Sequence, residues 1–281
     1  MYVRKQIVHN LHVVRDLEAK GAVFVEEESE VPEGATVVLS AHGVAPSVHA
    51  NAATRGLSVI DATCPLVTKV HLEAKRFARE GRTILLIGHE GHEEVVGTSG
   101  EAPEHVTLVG SPAEAEVVGV EDPDNLAYLT QTTLSVDETN EIIDILRRRF
   151  PAIQGPPKED ICYATQNRQD AVKELARRAD LVLVIGSSNS SNSKRLAEVA
   201  RDVGTPAYLV DDESQVDPAW LESADAIALT SGASAPEWLV DRMIEFLRER
   251  GATEVEEIRV REEQMHFSMP AGIRRLEVTP R

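Results

Sequence analysis

The chain has 281 residues, 42% hydrophobic and 27% charged with modest glycine and proline, which describes a globular protein of two or three domains and excludes a disordered or fibrous one. Its 47 acidic residues against 29 basic ones give a formal net charge of -18, and no long Lys/Arg stripe offsets it, which argues against a nucleic-acid partner. No apolar run approaches the ~20 residues of a membrane span, and MYVRKQIVHN lacks the apolar stretch and cleavage site of a secretory leader, so a cytoplasmic protein with no membrane partner is expected.

In chain order, IVHN at 7–10 is followed by five runs of one type: TVVLSAHG (36–43), TILLIGHEGHEE (83–94), LAYLTQTTLS (126–135), DLVLVIGSSNSSNS (180–193) and AIALTSGASAP (226–236). Each has about five apolar residues without alternation and ends in a small, polar loop. Such runs read as strands buried on both faces, the mark of parallel sheets covered by helices. Helical patterns are predicted at 66–80, 136–150, 167–179, 192–203 and 236–250. The fold class is therefore α/β, built from repeated βα units. Three domains are expected at 1–64, 65–158 and 159–250, with a tail at 251–281 returning to the core. QGPPKED at 154–160 is the best linker, because proline and glycine oppose regular structure. Ligands of open α/β sheets sit beyond the carboxyl ends of the strands, where all five polar loops lie.

The only thiols are Cys64, in DATCPLVTKV, and Cys162, in DICYATQNRQDAV. In both, an Asp and small or β-branched residues end an extended run, the cysteine follows, and a helical pattern begins. The positive potential of a helix amino-terminus favours a thiolate that ligates metal or attacks. Two inert, buried cysteines are the plainer reading, but packing alone does not require the same polar lead-in twice. His9, His42, His89 and His92 stand at strand ends, able to donate to phosphate or to bind metal. In GSSNSSNSKRL, Ser190, Ser191, Asn192 and the backbone of a starting helix suit a phosphate nest, or equally a helix cap. Ser234 in SGASAP repeats that chemistry more weakly. Glu94 is a candidate proton donor, and Thr132 can relay or orient. The spacing in GHEGH is not that of an HExxH zinc helix.

Taken together and in order, IVHN, SAHGV, DATCPLVTKVH, GHEGHEEVVGT, TQTTLS, DICYATQNRQ, GSSNSSNSKRLAE and SGASAP closely resemble the LytB-type 4-hydroxy-3-methylbut-2-enyl diphosphate reductases, iron-sulfur enzymes that end the methylerythritol phosphate route to isoprenoids. The resemblance runs to about residue 245. It implies a cloverleaf of three similar α/β domains around a 4Fe-4S cluster held by three cysteines, one per domain. It implies reductive dehydroxylation of the diphosphate substrate to isopentenyl and dimethylallyl diphosphate, with electrons from ferredoxin or flavodoxin. By that resemblance Cys64 and Cys162 are two cluster ligands. His9, His42, His92, Ser190, Ser191, Asn192 and Ser234 form the diphosphate pocket, Glu94 is the proton donor, and Thr132 stands beside the substrate hydroxyl. Glu93 replaces a proline common in the family and is expected to matter little.

The family carries its first cluster cysteine upstream of IVHN, and this chain begins after that point. The first domain is therefore expected to be incomplete at its amino-terminus, with its first strand, first helix and third thiolate ligand absent and its apolar surface partly uncovered, and the lack of one cluster ligand puts the activity of this chain in question. A non-redox homologue that binds diphosphate without a cluster, and a zinc hydrolase using Cys and His, are the competing readings.

Overall fold

The computed structural model describes residues 1–270 and Ile273. Strands β1 (Tyr2–Arg4), β2 (Val23–Val25), β3 (Thr36–Leu39) and β4 (Ser58–Asp61) form a parallel sheet in the order β2-β1-β3-β4, with helices α1 (Leu11–Ala19), α2 (Pro46–Thr54) and α3 (Pro65–Arg79) in the same stretch. A second parallel sheet, β6-β5-β7, uses β5 (Thr83–Ile87), β6 (Val106–Val109) and β7 (Leu126–Thr130), with α4 (Glu93–Gly100), α5 (Pro112–Val117) and α6 (Val136–Arg149). After α7 (Tyr163–Ala176) comes a third, β10-β8-β9, from β8 (Leu181–Ile185), α8 (Ser191–Asp202), β9 (Ala207–Val210), α9 (Pro218–Leu221), β10 (Ile227–Ser231) and α10 (Glu237–Arg248).

The unbroken apolar runs are explained by helices on both faces of these strands. Leu85 and Ile87 pack with Ile142 and Leu146 of α6, whereas Ile84 and Leu86 pack with Val70, Ala74 and Phe77 of α3. In the third sheet Val182 and Val184 meet Val172 of α7 and Leu196 of α8, while Leu183 and Ile185 meet Leu239 and Met243 of α10. A strand covered twice has no polar face to alternate with its apolar one.

All three sheets share one strand order: the first strand lies in the interior, the second joins one side and the third the other. Successive connections therefore leave the first strand in opposite directions, and the loops after the first and third strands flank a switch point, where such sheets bind ligands. His42 follows β3. His92 and Glu94 follow β5, with Thr132 after β7; Ser190 and Asn192 follow β8, with Ser234 after β10.

The five apolar runs and the five helical patterns form, the extended lead-in expected before Cys64 is β4, and the structure adds β1, β2, β6 and β9, as short as β4 or shorter. These have three or four residues each, and Val23 and Ser58 are exposed, so they lack the long apolar run that marks a doubly covered strand. No strand leads into Cys162: residues 151–162 are irregular apart from a bridge between Gln154 and Ala127. Helix α7 starts at Tyr163, four residues earlier than its pattern suggested, directly after the cysteine.

Contacts divide the chain into two compact units, one holding residues 1–8, 17–162 and the described tail after 264, the other residues 9–16 and 163–264. In the second unit the tail is tied to α7 by Arg261–Asp170 at 3.1 Å and Asn167–Glu263 at 3.1 Å. The expected return of the tail to the core falls partly on residues 271, 272 and 274–281, outside the described residues. Among the described residues no helix is long and apolar enough to cross a membrane.

Candidate functional site

In the first unit the two thiols are positioned by the same device. Asp61 Oδ1 accepts the Thr63 N–H at 2.9 Å and its hydroxyl at 2.5 Å, folding the chain after β4 into a turn that delivers Cys64 to the start of α3. Pro65 occupies the first helical position, where its missing N–H costs nothing. The Cys64 N–H donates to the Ala41 carbonyl at 2.9 Å, just past the end of β3 and next to His42. Cys162 repeats the arrangement past the end of β7, its N–H donating to the Thr132 carbonyl at 3.0 Å. Its lead-in is held by a side chain, since Asp160 Oδ2 accepts the Thr130 N–H at 3.0 Å. Neither thiol is in a disulfide, and both are partly buried.

Thr132 also faces Glu94. Glu94 is 2% exposed; its Oε1 accepts the Thr132 N–H at 2.5 Å and its Oε2 the Thr132 hydroxyl at 3.1 Å. Burial raises its pKa to about 7, against the lowering effect of the two Thr132 bonds and with a further push from the Asp160 charge. Near neutral pH the side chain therefore exists in both forms, as a general acid requires. It is set in place by His92, which caps α4 by accepting the Glu94 N–H on Nδ1 at 3.2 Å. With Nδ1 accepting, Nε2 is the ring nitrogen left to donate. The His92 and His42 rings meet edge to face at 5.9 Å.

Several contributors were given no role by the sequence. Glu93, expected to matter little, approaches His42 Nδ1 at 3.3 Å and accepts the Ser40 hydroxyl at 3.4 Å. Gln131, buried, accepts the His89 N–H at 3.2 Å and donates to Thr133 Oγ1 at 2.9 Å, joining the loops after β5 and β7. His71, buried on α3, pairs through Nδ1 with Glu101 at 3.0 Å; burial lowers its pKa, against the pull of the Glu101 charge. These residues have ordinary types at ordinary spacings, and only their partners mark them.

In the second unit three segments converge. Asn10 caps α1 by accepting the His12 and Val13 N–H groups at 3.1 Å, Ser187 Oγ accepts the Leu11 N–H at 3.0 Å, and Ser234 donates to the His9 carbonyl at 2.9 Å. Ser190 caps α8, accepting the Ser193 N–H at 3.3 Å and the Ser193 hydroxyl at 2.9 Å. Its own hydroxyl proton is then available to a ligand. Ser193 fills the space beside Gly186 and Gly232, where an added Cβ would come within 2.2 and 2.0 Å of its Oγ. Both polar atoms of Asn192, 5% exposed, lack a hydrogen-bond partner among the described residues. An unpaired buried amide is costly, and a polar ligand with both donors and acceptors would relieve it. Thus Cys64, Cys162, His42, His92, Glu94 and Thr132 belong to one unit, and His9, Ser190, Ser191, Asn192 and Ser234 to the other.

This is an α/β protein with parallel sheets that presents thiols and a buried acid at strand ends. The sequence model of the family described as LytB protein matches residues 1–248, and the chain belongs to that family. It is 62% identical over 276 residues to the 4-hydroxy-3-methylbut-2-enyl diphosphate reductase of Acidothermus cellulolyticus, covering 98% of this chain and 81% of that protein. The reductase of the same name from Streptomyces avermitilis is 59% identical, with 98% and 82% covered. Among solved structures, the E-1-hydroxy-2-methyl-but-2-enyl-4-diphosphate reductase of Plasmodium falciparum superposes with a TM-score of 0.94 at 36% identity, over 99% of this chain and 88% of that one.

Proposed function

We propose that the chain catalyses the reductive dehydroxylation of (E)-4-hydroxy-3-methylbut-2-enyl diphosphate to isopentenyl and dimethylallyl diphosphate. The observation that carries this reading is Glu94, buried on Thr132 with its pKa raised to about 7, in a chain of the LytB family. The hydroxyl leaves as water and a proton is added to the carbon chain, so the reaction consumes electrons and protons together. Glu94 holds a transferable proton at its carboxyl group, and Thr132 orients that group by donating its hydroxyl to it, leaving the hydroxyl oxygen to accept a bond from the substrate hydroxyl. Ser190, Ser191, Asn192 and Ser234, with His9, His42 and His92, are assigned to the diphosphate. Hydroxyl, amide and imidazole N–H donors suit it without a magnesium ion.

Cys64 and Cys162 fit an iron-sulfur group in kind: both are partly buried thiols outside any disulfide, at helix starts, each fixed by its own backbone N–H. They would supply two of the three cysteine ligands implied for a 4Fe-4S cluster, these being the two cysteines the sequence contains. A cluster held there would relay electrons from an external donor and supply Lewis acidity. Ferredoxin or flavodoxin as donor, a cytoplasmic location, and one domain around each of the three sheets complete the proposal. The test is anaerobic reconstitution with iron and sulfide, followed by turnover of the diphosphate with a chemical reductant. Formation of both five-carbon products, lost in Glu94→Gln and accompanied by iron loss in Cys64→Ser, is expected. A reconstituted chain that holds no iron and releases neither product ends the proposal.

A further inference from the structure

Lys69 lies on α3, the helix that Cys64 opens. Its ammonium donates to acceptors on three consecutive residues: the Lys158 carbonyl, the Glu159 carbonyl at 2.8 Å and Asp160 Oδ1 at 3.0 Å. An ammonium has three N–H donors, so this one is fully used. The Asp160 side chain is fully buried, and its other oxygen accepts the Thr130 N–H. Two residues on, Cys162 joins the Thr132 carbonyl. The segment from 151 to 162 has no ladder to set its position beyond the bridge at Gln154. A single side chain from the helix of one thiol therefore gathers the irregular lead-in to the other.

We infer that Lys69 is a positioning residue that fixes the Cys162 segment against the helix of Cys64, so that the two thiols are held at a set separation. This rests on reading both cysteines as ligands of one iron-sulfur group. Lysine suits the task because its compact ammonium directs three donors from one nitrogen to three separate oxygens, whereas the guanidinium of arginine is a flat fork. Methionine keeps most of the stem and removes every donor. Lys69→Met leaves a buried carboxylate unpaired, so Lys69→Met combined with Asp160→Asn removes the clamp without stranding that charge, and the asparagine oxygen still faces Thr130.

The chain contains two cysteines, so thiol chemistry reports on these two alone. The experiment treats the metal-free chain with thiol-reactive cross-linkers of graded length, and separately follows iron loss to a chelator after reconstitution. The wild type is expected to bridge Cys64 and Cys162 over a narrow range of lengths. Lys69→Met and the double variant should bridge over a wider range, and iron should leave them roughly tenfold faster or more, the usual scale for residues that support metal ligands. If Lys69→Met does not fold by circular dichroism, the double variant decides. A folded double variant with the wild-type cross-linking range and rate of iron loss overturns the inference. Should the wild type take up no iron while the variants still widen the cross-linking range, the cluster assignment falls and the clamp stands.

Discussion

Glu94 shows how one side chain couples stability to chemistry. Its pKa is raised from 4.5 to about 7, so the folded state binds the proton more tightly than the unfolded state does. Stability therefore falls as pH rises through that window, with a cost that starts near 4.5 and is complete above about 7. By linkage the full cost is about 3 kcal/mol. Glu94→Gln, which carries no charge to desolvate, should gain stability over the wild type between pH 5 and pH 8 and show no gain near pH 4, read by urea unfolding across pH. The same change should lower turnover about 10²- to 10⁴-fold, the range for removing a general acid, and abolish the fall of activity through pH 7. A pH-independent difference in stability would mean that Glu94 is not a protonated acid. Asn192 predicts a different trade. Asn192→Leu removes two unpartnered buried polar atoms and should stabilise the unliganded chain by about 1–2 kcal/mol while raising the diphosphate KM roughly tenfold or more. Both would be measured on one preparation, by unfolding and by steady-state kinetics. Glu94, Thr132 and Asn192 were legible as residues worth suspecting, because each follows a predicted strand. Their burial and the pairing of Glu94 with Thr132 were not, since burial depends on tertiary packing and the pairing joins residues 38 apart in sequence.

Helix α3 joins several functional segments. It begins at Cys64, carries Lys69 toward the Cys162 lead-in, and buries His71 against Glu101 at the end of α4, the helix of Glu94. Lys75 reinforces that last contact at 2.8 Å from Glu101. The loop carrying His42 is fitted to this helix by Gly43, whose φ is +78° and whose added Cβ would stand 2.9 Å from His71 Cε1 and 3.0 Å from Val67 Cγ1. Gly43→Ala should cost about 2 kcal/mol or more, combining left-handed backbone strain with overpacking. In a His71→Ala background part of that cost should vanish, because the ring it strikes is gone; strictly additive effects in a double-mutant cycle would show that the ring is not what excludes a side chain there. The boundaries of α3 could be read closely from the sequence, through the proline after Cys64 and the apolar spacing. Which neighbours its polar residues choose could not.

Over the whole molecule the charge of -18 sets a condition on every local argument. Like charges repel in the compact state, and salt screens them over about 8 Å at physiological ionic strength. The melting temperature should therefore rise when an inert salt is added to a low-salt buffer, before any specific ion effect enters. A fall would mean that the paired acids, such as Glu101 and Asp160, outweigh the unpaired ones. The shared strand order of the three sheets operates at this scale too. Within each sheet taken by itself, the loops after the first and third strands flank that sheet's switch point, which is why segments separated in sequence carry related chemistry in each sheet.

Continuous apolar runs, helix starts and polar strand-end loops are local properties, and they were enough to establish the α/β class, the core strands and the motifs that place the chain in its family. Short strands such as β1 and β6 escaped because they carry too few residues for periodicity to register. The acidity of Glu94, the unpaired amide of Asn192, the His71–Glu101 lock and the Lys69 clamp arise from desolvation and from hydrogen bonds between residues distant in sequence. Such terms have no value until the chain is folded, so they could be read only from the assembled structure.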